Sequence, residues 1–92
     1  MEQIKRIKHY EDILNRGEKL VNDLINLLIE YDEFKPMIKD LENYYQSQTY
    51  MEDVNDDENH KIPQNLTRGI LSEDLIYNLL LANDYLNKKY LK

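Results

Sequence analysis

Apolar residues recur at three- and four-residue intervals along most of this chain, a period that predicts helices and no sheet. Over residues 2–33 the spacing runs through Ile4, Ile7, Glu11, Leu14, Gly17 or Glu18, Val21, Leu24, Leu28 and Tyr31. Ile13, Leu20, Ile25 and Leu27 widen this stripe. The width points to a long amphipathic helix packed on several neighbours rather than to a strict coiled-coil seam. Gly17 falls inside the pattern, where glycine costs about 1 kcal/mol relative to alanine, and marks either a close crossing or a bend. Pro36 either breaks the helix near Phe34–Lys35 or kinks one longer helix, because proline lacks an N–H and disfavours α geometry in the residue before it. Met37, Ile38, Leu41, Tyr44 and Tyr45 keep helical spacing, so residues 36–46 are helical in either case.

Residues 47–71 carry less order. A 25-residue connection without structure is unusual in a compact domain. A short helix from about Thr49 to Asn55 relieves it, with Thr49 and Glu52 at capping-box spacing and Tyr50 and Val54 turned to the core. Asn55 to His60 then reads as a polar, acidic loop. Ile62, Pro63 and Leu66 follow as apolar anchors, and Arg68-Gly69 turns the chain. Ser72 is a favoured N-cap residue, and Glu73 and Asp74 place negative charge where the helix dipole favours it. Leu75, Ile76, Leu79, Leu80, Ala82, Leu86 and Tyr90 form the apolar face of a last helix that should reach about Leu91. No segment alternates as a strand does. The expected fold is therefore all-α: one domain over residues 1–92, a small helical bundle. Its long N-terminal helix packs antiparallel to the C-terminal helix, with a short middle helix and an acidic connecting loop.

Composition narrows what such a bundle can do. The formal charge of −6 argues against direct nucleic-acid binding, which rests on neutralising phosphates. Absence of cysteine excludes disulfides, thiol catalysis and thiolate metal sites. No apolar run is long enough for a signal peptide or a bilayer span, so no membrane association and a cytoplasmic location are expected.

Candidate chemistry concentrates between Tyr44 and Leu80. Glu52, Asp53, Asp56, Asp57, Glu58 and His60 invite a metal reading, but a calcium loop needs alternating oxygen ligands and a turn glycine, and zinc needs more than His9 and His60. Ser72 has helix capping as its explanation rather than nucleophilic catalysis. With Gly17 and Gly69 the only glycines, no phosphate-cradling loop exists. No catalytic, cofactor or metal residues are expected. Arg68, close to Glu73 and Asp74 and after a loop rich in acids, either forms an ion pair that ties loop to helix, or presents an anchor for a partner's carboxylate or phosphate. Tyrosines offer large area with a polar tip and are frequent at interfaces. The candidate interaction surface is accordingly Tyr45, Tyr50, Asp53, Asp57, Arg68, Glu73 and Tyr77.

The run Leu41-Glu42, Tyr44-Tyr45, Ser47, Tyr50 and Asp53 resembles a family of small, acidic, nearly all-helical bacterial proteins catalogued as a domain of unknown function. Further on, Asp57-Glu58, Ile62-Pro63, Leu66 and Arg68-Gly69-Ile70-Leu71-Ser72-Glu73-Asp74 with Tyr77, Leu79 and Leu80 carry the same likeness. It covers nearly the whole chain. Two positions depart from it: Tyr50 stands where tryptophan is more common, and Gln46 where glycine is, which implies that the helix end here has no glycine cap. The resemblance implies a helical fold and no particular activity. The leading expectation is a non-enzymatic protein-interaction or regulatory module that binds a protein partner or itself. The alternative is an acidic inhibitor that mimics nucleic acid and occupies the basic groove of a nucleic-acid-processing protein.

Overall fold

The computed structural model of the chain describes residues 2–91. Three α-helices, α1 (Gln3–Tyr45), α2 (Gln48–Glu58) and α3 (Glu73–Tyr90), are joined by a tight turn at Ser47 and by a loop that ends in a 3-10 turn, Gly69–Leu71. Among the described residues there is no strand, as the three-to-four periodicity predicts.

Pro36 does not break the first helix. It lies inside α1, and Lys35 before it stays helical. The proline costs a helix hydrogen bond and crowds the preceding turn, yet the helix continues through it. The chain nevertheless divides into two compact units at this point, residues 1–35 and 36–92.

The first unit is a single helical segment. Its described residues include none that is buried. Ile7 is 57% exposed, Leu14 53% and Leu24 55%. Its polar side is laced by i,i+4 ion pairs, Arg16 Nη1 to Asp12 Oδ2 at 3.5 Å and Lys19 Nζ to Asp23 Oδ2 at 2.7 Å. Exposed pairs of this kind add a few tenths of a kcal/mol each to a helix.

The second unit holds the buried residues. Ile38, Tyr50 and Ile76 form its core, one from each helix, with Leu41, Val54, Ile62, Leu71, Leu80 and Leu86 half-buried. The 3-10 turn sits against both α2 and α3. Gly69 is not there for its conformational freedom: its φ is not positive, and a Cβ added to it would meet Leu75 Cδ1 at 3.5 Å, an ordinary contact.

Two boundaries differ from expectation. The middle helix starts at Gln48 and is capped by Ser47, not Thr49. Ser47 is extended, and its Oγ accepts a hydrogen bond from the Tyr50 N–H at 3.1 Å. The same hydroxyl donates to the Tyr44 carbonyl at 2.6 Å, so one side chain closes α1 and opens α2. At its other end α2 runs three residues past Asn55, and Asp56, Asp57 and Glu58, expected in a loop, lie in its last turn. It finishes in a Schellman arrangement. The His60 N–H donates to the Asp57 carbonyl at 3.1 Å and the Lys61 N–H to the Asp56 carbonyl at 2.9 Å. His60, with φ 59°, occupies the left-handed position that glycine usually fills. Ser72 holds the N-cap position of α3, as its residue type predicts, but its side chain makes no capping hydrogen bond. Glu73 and Asp74 in the first turn, and Lys88 and Lys89 in the last, complement the dipole of α3.

Candidate functional site

The face of α2 that turns inward carries Tyr50, Asp53, Val54 and Asp57, at the i, i+3, i+4, i+7 spacing of one helix side. Three tyrosines meet at its start. Tyr50 is 3% exposed. Tyr44 and Tyr45, from the end of α1, set their rings edgewise against it, with centroids 5.1 and 5.4 Å away and interplanar angles of 84° and 63°. Such edge-to-face pairs contribute roughly 0.5–1.5 kcal/mol beyond their buried area.

The hydroxyls of this cluster differ. The Tyr44 O–H donates to Asp53 Oδ2 at 2.6 Å, a short bond to a charged acceptor. That bond pushes the Tyr44 phenol up to about 12, with partial burial and the Asp53 charge adding in the same direction. Tyr50 is also raised, first by burial and then by the charges of Glu73 and Tyr45. Its Oη is buried without a hydrogen-bond partner among the described residues. Proton transfer at neutral pH needs a group that titrates near 7, and both phenols move away from that value.

Arg68 Nη1 lies 3.2 Å from Asp57 Oδ1, each side chain 28% exposed. Of the acids near it in sequence, the one it pairs with is on α2. The reason is electrostatic. Asp56, Asp57 and Glu58 crowd the negative end of the α2 dipole, and the last turn holds no basic residue. Positive charge must come from beyond the helix. Arg68 supplies it to Asp57, and Lys61 to Asp56 at 4.0 Å. The pair therefore fastens the loop 59–68 to the helix it leaves.

The seven residues of the candidate surface are placed as follows. Tyr45 and Tyr50 pack together, Asp53 holds Tyr44, and Asp57 holds Arg68. Glu73 and Tyr77 lie exposed on α3, Glu73 near enough to act on Tyr50 through its charge. Tyr44 and Ser47 complete the cluster and were not among the seven. Ser47 was findable as a capping residue three positions before Tyr50, whereas the reach of Tyr44 to Asp53 depends on how the turn folds. Among the described residues, no three of His, Asp and Glu converge as metal ligands. Among the described residues, no helix is long and apolar enough to cross a membrane.

Comparison with known proteins adds one match. The family model described as Domain of unknown function (DUF4298) covers residues 7–92. No curated protein and no solved structure matches the chain.

Proposed function

The chain belongs to the DUF4298 family, whose description carries no activity, and from the geometry we propose that it is a non-enzymatic protein-interaction module whose binding surface is the apolar stripe of residues 4–31. One observation carries this reading: most large aliphatic side chains along that stripe are more than half exposed, Ile7, Leu14 and Leu24 among them, and none of them is buried. An apolar face this long is a docking surface on a folded protein, since water alone is a poor neighbour for it. The tyrosine and carboxylate cluster of the second unit supports the same reading by its own chemistry. Its phenols are raised away from neutral pH, and its arginine is engaged with Asp57, so the cluster serves to hold α2, the loop and the end of α1 together.

The reading is tested by affinity capture from the source cells with the wild-type chain, a Leu14→Glu/Leu24→Glu variant and an Arg68→Ala variant as baits. A partner retained by the wild type and lost from the double-glutamate bait is the expected result. Equal recovery by those two baits removes the stripe as the binding surface, and loss confined to Arg68→Ala moves it to the second unit.

A further inference from the structure

We draw no further inference here: the strongest candidate, the exposed apolar face of residues 4–31 in the first unit, is the surface already described, and nothing in the structure shows what covers it.

Discussion

Tyr50 and Tyr44 show how differently two neighbouring phenols can be held. The Tyr50 hydroxyl is buried without a partner among the described residues, and an unsatisfied buried group costs about 1–3 kcal/mol. Tyr50→Phe should therefore leave stability unchanged or raise it by about 1 kcal/mol in urea unfolding; a loss above that range would reveal a bond that the hydroxyl makes. Tyr44 is the reverse, because its hydroxyl bonds a carboxylate. Its folded value, about 12 against an ordinary 10, means that between these values the unfolded chain has released a proton the folded chain retains. The stabilisation is complete below pH 10 and is lost as pH rises towards 12. Between those pH values the wild type should lose stability more steeply than Tyr44→Phe; parallel curves would show that the bond to Asp53 carries no linkage.

At the scale of elements, α2 has the least favourable end. Three acids sit at the negative end of its dipole, and His60 takes the left-handed position at a cost of about 1–2 kcal/mol for a residue with a Cβ. His60→Gly should raise the unfolding midpoint, by about 1 kcal/mol of stability, and a decrease would mean that the imidazole makes a compensating contact. Pro36 strains α1 in its own way, since a proline inside a helix costs about 3 kcal/mol. Pro36→Ala should increase helicity and raise stability by up to about that amount, read by circular dichroism on heating. These ends also mark how far the sequence could be read. The helices themselves were legible because their apolar residues keep one period over many turns. The start of α3 was legible because Ser72, Glu73 and Asp74 suit that place by charge and size. The end of α2 was not: a run of acids resembles a solvated loop until Arg68 and Lys61 are known to neutralise it. Thr49 and Ser47 are both good caps, and only the path of the turn after Tyr45 chooses between them. Of the candidate surface, the residue types were readable, but their pairing across the loop was not.

At the scale of the molecule, the buried residues belong to the second unit, where three side chains form the core. The first unit has local hydrogen bonds and ion pairs but no buried side chain among its described residues, and a lone helix gains most of its stability from packing. The tyrosine cluster offers a way to watch the join of α1 and α2. The chain has eight tyrosines and no tryptophan, so its ultraviolet emission is phenolic. Tyr44, bonded to a carboxylate, should be quenched by that contact, so the emission that the wild type gains over Tyr44→Phe as the end of α1 parts from α2 reports on one hydrogen bond, with no label attached.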